Sequence, residues 1–193
     1  MNQYLYLILA WLAYGFIHSL LASAFVKKLL PTPYYRLAYN AIAILLFVVL
    51  ILFQFKLPQD QLWTSNLFSQ ISGIVFVLIG IWTLYEAFSN YDLSEFSGFD
   101  ALQKSKNIIS KFRTNGILQI IRHPIYTGII LVVFGLFVYD TLLRSLITTF
   151  CVIFYIRIGI YFEEKKLMVA FGESYFEYRK KVPMLFPKFN HEP

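Results

Sequence analysis

Five apolar stretches, separated by short polar breaks and by one long one, set the pattern of this chain. Residues from about 4 to 25 are apolar apart from His18, Ser19 and Ser23, enough for a first membrane helix. Ala22-Ser23-Ala24 imitates a signal-peptidase site, but Met1-Asn2-Gln3 supplies no positive n-region and Lys27-Lys28 follow as a stop-transfer flank, so the segment reads as a helix. Pro31-Thr32-Pro33 makes a tight connection. A second helix is expected over about 34–55, with Arg36, Tyr39 and Asn40 in its first turns, and a third over about 67–88, after a short polar loop at 56–65. Gly73 and Gly80 in the third are spaced for close packing against another helix. The fourth run, 126–138, has only about 13 residues and is short for a full span. Tyr139-Asp140-Thr141 interrupts it, and a fifth run continues from 142 to about 162. The last two runs predict a helical hairpin that leaves the membrane through Glu163-Glu164-Lys165-Lys166.

Between the third and fourth runs lie the residues 89–125, which mix Asp92, Glu95, Asp100 and Gln103 with Phe96, Phe99, Ile108, Ile109 and Phe112. Loops of this length are usually functional or disordered, and the apolar anchors here predict an ordered cap folded against the bundle. The tail, residues 171–183, alternates aromatic and charged positions and suits a segment lying at a membrane surface.

Composition agrees with the pattern. At 193 residues, 58% hydrophobic and 15% charged, the chain is too apolar for an ordinary soluble domain. It reads as one all-α integral membrane bundle of about five transmembrane helices, a single domain over 1–193 with three N-terminal helices in 1–88 and the loop, hairpin and tail in 89–193. The single cysteine, Cys151, lies in an apolar run, which excludes a disulfide framework and a metal-binding cysteine pair; no metal site is expected. The net charge of +6 resides mainly in short loops and the tail and reads as a topology signal, not a nucleic-acid patch. Lys27, Lys28 and Arg36, the basic residues of the long loop, and those of the tail all fall on one side of a five-crossing chain; Lys56 and Arg144 fall on the other. The N-terminus is therefore expected outside, with the long loop and the C-terminus cytoplasmic.

This topology brings two polar features to one membrane face. The first is Arg122-His123-Pro124-Ile125-Tyr126-Thr127-Gly128, where a His-Pro step opens a helix and places Arg, His and Tyr at its positive end. Alone, it reads equally well as an interfacial anchor. The second is the pair Glu163 and Glu164, about 100° apart on a helix and so expected to have different partners. Arg157, inside the last membrane helix, is a functional candidate because ionisable groups are costly there. His18 has the look of a helix-packing histidine that hydrogen-bonds a neighbour, and Tyr35, Arg36 and Asn40 of packing or interface residues.

The run Arg122 to Gly128, then Glu163-Glu164, Leu167, Phe171-Gly172, Tyr175, Tyr178 and Val182-Pro183, resembles the C-terminal signature of isoprenylcysteine carboxyl methyltransferase and the related phospholipid methyltransferases. The segments His18 to Ala22 and Tyr35 to Asn40 are also similar to methanethiol S-methyltransferases and NnrU-like membrane proteins. The resemblance implies S-adenosylmethionine as methyl donor, leaving as S-adenosylhomocysteine, in a cytoplasmic pocket closed by the loop and the tail. Carried over by position, it implies Gln103, Phe112, Arg113, His123, Pro124, Ile125, Tyr126 and Glu163 as cofactor-binding residues, and Arg157, Glu164 and His123 as catalytic ones. Relatives carry an arginine nearer the Glu pair, where Gly159 or Tyr161 stands here. The implied acceptor is a lipophilic small molecule, a lipid or a lipidated end, presenting a carboxylate, thiol or amine. A non-enzymatic NnrU-like accessory protein or a small-solute permease is the alternative, and the two halves of the chain show none of the internal repeat common in transporters. Nothing in the sequence fixes the oligomeric state.

Overall fold

A computed structural model of the chain describes residues 2–29, 34–89, 112 and 114–188. Its helices are α1 (Asn2–Leu21), α2 (Ala24–Leu29), α3 (Tyr35–Phe55), α4 (Leu67–Ser89), α5 (Pro124–Asp140), α6 (Leu143–Phe171) and α7 (Glu173–Lys181), with a 3-10 turn over Gly116–Gln119 before α5. The all-α membrane bundle expected from the pattern is present. α1, α3, α4 and α6 are each long and apolar enough to cross a bilayer, and α5 is a shorter apolar helix of 17 residues. At 1.5 Å per residue α5 reaches about 26 Å, against a hydrocarbon core of about 30 Å. Large apolar side chains such as Phe16, Ile44, Phe68 and Phe150 are exposed on the bundle, as lipid-facing positions should be.

The helices pack as a row. α4 lies along α5, α5 on α6, α6 on α1, and α1 on α3, so α3 and α4 form the two edges. The α4–α5 seam is the closest. A Cβ built on Gly73 meets the Gly135 carbonyl at 2.6 Å and one built on Gly135 meets the Gly73 carbonyl at 2.7 Å; Gly80 and Gly128 form a second reciprocal pair at 2.8 and 2.9 Å. The spacing of Gly73 and Gly80 thus does what was expected of it, with its partners at the same interval on α5.

The hairpin turn is sharp because Thr141 adopts the left-handed conformation (φ 55°) and caps α5 through its N–H to the Phe137 carbonyl at 2.8 Å. Its hydroxyl donates to the Trp63 carbonyl at 2.7 Å, and the Leu143 N–H to the Asp60 carbonyl at 2.9 Å, tying the 57–66 connection to this end. Arg144, placed by the sequence on the outer side near the start of the fifth run, is 6% exposed and donates to the carbonyls of Gln54, Phe55 and Leu57, satisfying the last turn of α3.

Two boundaries differ from the expectation. α5 opens at Pro124, as the His-Pro step predicts, but runs on through Tyr139 and Asp140, and α6 does not stop near 162 but continues to Phe171. Glu163 to Lys166 end the apolar run, not the helix; the stop is Gly172, at φ 52°. The Glu pair is therefore carried on a rigid helix.

Candidate functional site

The site is assembled at the end of the bundle where α5 begins. His123 precedes the helix in a non-helical conformation (φ −124°, ψ 64°) with Pro124 at its first position. The tail supplies the hydrogen bonds that this helix start lacks: the N–H groups of Arg122 and His123 donate to the Pro183 and Met184 carbonyls at 2.9 and 3.1 Å. The Thr127 hydroxyl donates to the Leu185 carbonyl at 2.7 Å. α7 is held in the same way, with the Tyr178 hydroxyl donating to the Leu118 carbonyl at 2.6 Å and Tyr175 only 1% exposed. The tail is thus a wall of the site as well as a surface segment.

The two glutamates have different surroundings, as their angular separation predicts. Glu164 is buried in a cluster of cations: Oε1 is 2.7 Å from Arg122 Nη1 and 3.3 Å from His123 Nε2, and Oε2 is 3.6 Å from Arg179 Nε. The Arg122 contact is a close ion pair whose N–H is not aimed along it, since neither Nη1 nor Nε makes an aligned hydrogen bond among the described residues. Glu163 lies beside the other edge of the imidazole, with Oε2 3.8 Å from His123 Nδ1, and that buried oxygen has no hydrogen-bond partner among the described residues. The Tyr175 hydroxyl is buried beside Glu164 and Arg122, without an aligned hydrogen bond among the described residues. Burial and the adjacent Glu164 carboxylate push the Tyr175 phenol up to about 12.

In front of these groups opens a cavity of about 1760 Å³. Ligand pockets usually occupy about 300–1,000 Å³, so the space exceeds what one small ligand needs. Its polar end is lined by Arg122, His123, Pro124, Ile125, Tyr126 and Glu163, and by the rings of Phe112, Phe171, Tyr175 and Tyr178. Phe112 is the hub of that aromatic group, with centroids 5.0 Å from Phe171, 5.9 Å from Tyr175 and 5.3 Å from Tyr178. The rest of the cavity runs into the bundle between α3 and α5, with α1 and α6 behind it, past Phe47, Ile51, Ile129, Val133 and Val152.

Of the residues singled out in the sequence, Phe112, His123, Pro124, Ile125, Tyr126 and Glu163 meet on this one cavity. Glu164 adjoins it through His123 but lines a smaller recess on the opposite side, with Arg179. Arg157 is exposed, lines neither space, and has Nη1 2.8 Å from Met184 Sδ. Gln103 and Arg113 lie outside the described residues. The sequence reading missed Phe171, Tyr175 and Tyr178 as lining residues; their four- and three-residue spacing in the tail was the available signal.

The sequence model of the phospholipid methyltransferase family matches residues 68–174, from α4 through α6 and so across most of this site. The chain is similar to a methanethiol S-methyltransferase of Pseudomonas deceptionensis, 31% identical over 187 residues that cover 91% of this chain and 70% of the relative. It is also similar to one of Crocosphaera subtropica, 30% identical over 88% of this chain and 69% of the relative, and to methanethiol S-methyltransferase 2 of Bradyrhizobium diazoefficiens, 29% identical over 89% and 68%. No solved structure matches. The resemblances to phospholipid methyltransferases and to methanethiol S-methyltransferases read from the sequence are met, and the chain belongs to the phospholipid methyltransferase family as an integral-membrane methyltransferase, for which the family implies S-adenosylmethionine as donor.

Proposed function

We propose that the chain acts as a single unit to move a methyl group from S-adenosylmethionine to the sulfur of a small apolar thiol that arrives through the bilayer. The observation that carries this reading is one continuous cavity, with a polar, ring-lined end beside Glu163 and His123 and an apolar interior between α3 and α5. When bound, S-adenosylmethionine supplies an electrophilic methyl group on a sulfonium. The residues present fit it: Glu163 has a buried carboxylate oxygen without a hydrogen-bond partner among the described residues. Glu163 is suited to accept hydrogen bonds from an ammonium or from ribose hydroxyls, and His123 and Tyr126 to hold the neighbouring polar groups. Phe112, Phe171 and Tyr178 offer ring faces for a base or a sulfonium. Glu164, buried against Arg122, acts through His123 by fixing its ring. Orientation and exclusion of water are the protein's main contributions to an in-line displacement of this kind.

The acceptor class follows from where the cations stand. Arg36 and Arg122 line one end of the cavity and Arg144 the other, whereas the middle, formed by Ala43 to Ile51, Ile129 to Leu136 and Val152 to Ile156, has none. Such a wall suits an uncharged apolar acceptor better than the carboxylate of an isoprenylcysteine, and Arg157 is not part of it. The methanethiol named for three relatives is of the favoured class. By the distribution of Lys and Arg, the donor end lies on the cytoplasmic face and the N-terminus outside.

Calorimetry of S-adenosylmethionine and S-adenosylhomocysteine binding to the purified protein, with Glu163→Gln beside it, tests the donor site. Headspace detection of dimethyl sulfide from methanethiol tests the acceptor, with a farnesylcysteine analogue and phosphatidylethanolamine as competitors. Saturable binding weakened by the substitution and methylation of the thiol alone are expected. Absence of donor binding from folded protein overturns the reading, and methylation of only the prenylated or lipid acceptor overturns the thiol assignment.

A further inference from the structure

A second polar cluster lies deeper in the same cavity, away from the glutamates. His18 of α1 has Nε2 2.9 Å from the Tyr39 hydroxyl of α3, and its ring packs against Tyr14 at 5.8 Å and edge-on to Tyr155 of α6 at 6.0 Å. The Tyr155 hydroxyl is 3.1 Å from Ser19 Oγ. A histidine that merely joined two helices would be sealed between them. Here His18, Tyr14, Tyr39 and Tyr155 all line the cavity, so three helices turn polar groups toward it. Polar groups at this depth are costly unless used.

The cluster and the donor end share one face of α6. Tyr155, Gly159 and Glu163 follow at four-residue intervals, drifting by about 40° per step, and Tyr155 is displaced from Glu163 by about 12 Å along the axis. Gly159, between them, leaves open space: a Cβ there would meet nothing within 4 Å except the Tyr126 hydroxyl, at 3.9 Å. Along α6 this opening lies between the donor end and the His18 cluster.

We propose that Tyr39 and His18 form the proton-accepting subsite for the thiol acceptor. The inference rests on the thiol-methylating function above. A thiol without activation is largely protonated at neutral pH, free cysteine titrating near 8.5, and the thiolate is the nucleophile. As the sulfur takes the methyl group its S–H bond breaks, the proton passes to the Tyr39 oxygen, and the Tyr39 proton passes to His18 Nε2. The methyl–sulfonium bond breaks with its electron pair kept by the donor sulfur, which becomes a neutral thioether, and the imidazolium then releases its proton to water. Tyr39 touches the acceptor and is the catalytic residue; His18 acts through it and is the positioning and proton-storing residue. The titratable groups around His18 are Tyr14 on its own helix, Tyr39 with Tyr35 beyond it on α3, and Tyr155 on α6, and Arg36 is the charged side chain lining the same end.

The test compares wild type, His18→Gln and Tyr39→Phe with two acceptors, methanethiol and thiophenol, whose lower pKa leaves much of it ionised near neutrality. S-adenosylmethionine affinity measured by calorimetry is expected within twofold of wild type in both variants. kcat/KM for methanethiol is expected to fall about 100-fold, the usual worth of a positioned general base, and its acid limb to disappear in His18→Gln. The loss with thiophenol is expected to stay below tenfold. Equal losses with the two thiols, an unchanged acid limb, or loss of donor binding in both variants overturns the proposal and leaves the cluster a packing contact. A wild type that binds the donor but methylates neither thiol removes the acceptor assignment beneath it.

Discussion

Glu163 and Glu164 are consecutive on α6 and flank one imidazole: His123 Nδ1 is 3.8 Å from a Glu163 oxygen, and Nε2 is 3.3 Å from a Glu164 oxygen. Only Glu163 lines the large cavity, while Glu164 neutralises Arg122, whose side chain is 7% exposed. Glu163→Gln is expected to leave the melting temperature nearly unchanged and to weaken S-adenosylmethionine binding about tenfold or more, a hydrogen bond to a charged group being worth about 1.5–3 kcal/mol. Glu164→Gln strands a buried guanidinium and is expected to cost about 3 kcal/mol of stability. Thermal unfolding and calorimetry on the two variants separate these outcomes; the same pattern in both would show that the pair acts as one.

The glycine seam makes a sharper stability prediction. Gly80→Ala puts a methyl group 2.8 Å from the Gly128 carbonyl oxygen, a backbone atom that cannot swing aside, so α4 and α5 must separate. A loss of about 1–3 kcal/mol is expected, as for other overpacked sites. Gly159→Ala meets only the Tyr126 hydroxyl at 3.9 Å and is expected to leave unfolding unchanged while lowering turnover. Unfolding curves for the two variants in one detergent compare them directly.

Alkaline pH should loosen the tail. Burial and the Glu164 charge raise Tyr175 to about 12, from 10.0 in the unfolded chain. Below pH 10 the phenol is neutral in both states and its contribution is complete. Between pH 10 and about 12 the unfolded chain releases the proton first, so stability falls with pH across that window and levels off above it. Tyr175→Phe is expected to remove this part of the slope, read from unfolding midpoints at pH 9 to 12 with tyrosinate absorbance as the monitor.

Reporter fusions at the N-terminus and after residue 188 are expected to score on opposite sides of the membrane, the second cytoplasmic. Scoring on the same side would remove one of the five crossings, and α5, the shortest helix, is the one that would be re-entrant.

The five helices were legible because each is an apolar run bounded by polar residues, and Gly73 and Gly80 because a seven-residue interval keeps them on one face, whereas their partners Gly128 and Gly135 emerged only from the packing. Helix ends were less legible wherever charge and helix did not stop together: Glu163 to Lys166 read as an exit, yet α6 runs on to Phe171. Arg144 could be assigned a side of the membrane but not a partner, because sequence does not show that its guanidinium reaches back to α3 across 87 to 90 residues. For the site, the His-Pro step and the Glu pair were visible as local motifs. Tyr175 and Tyr178 stood in the signature but not as lining residues, because amphipathic spacing distinguishes two faces without saying that the apolar one covers protein instead of lipid.

The cavity's position between α3 and α5 changes what concentration means for the acceptor. A space that opens among membrane helices samples solute dissolved in lipid, whereas the ring-lined end samples solute in water. For a strongly partitioning acceptor, added protein-free vesicles therefore act as a diluent: at constant total acceptor they lower its density around the protein and slow turnover, while the KM of the water-borne donor is unmoved. The proposed reaction would then obey two concentration scales at once, one per litre of water and one per area of membrane.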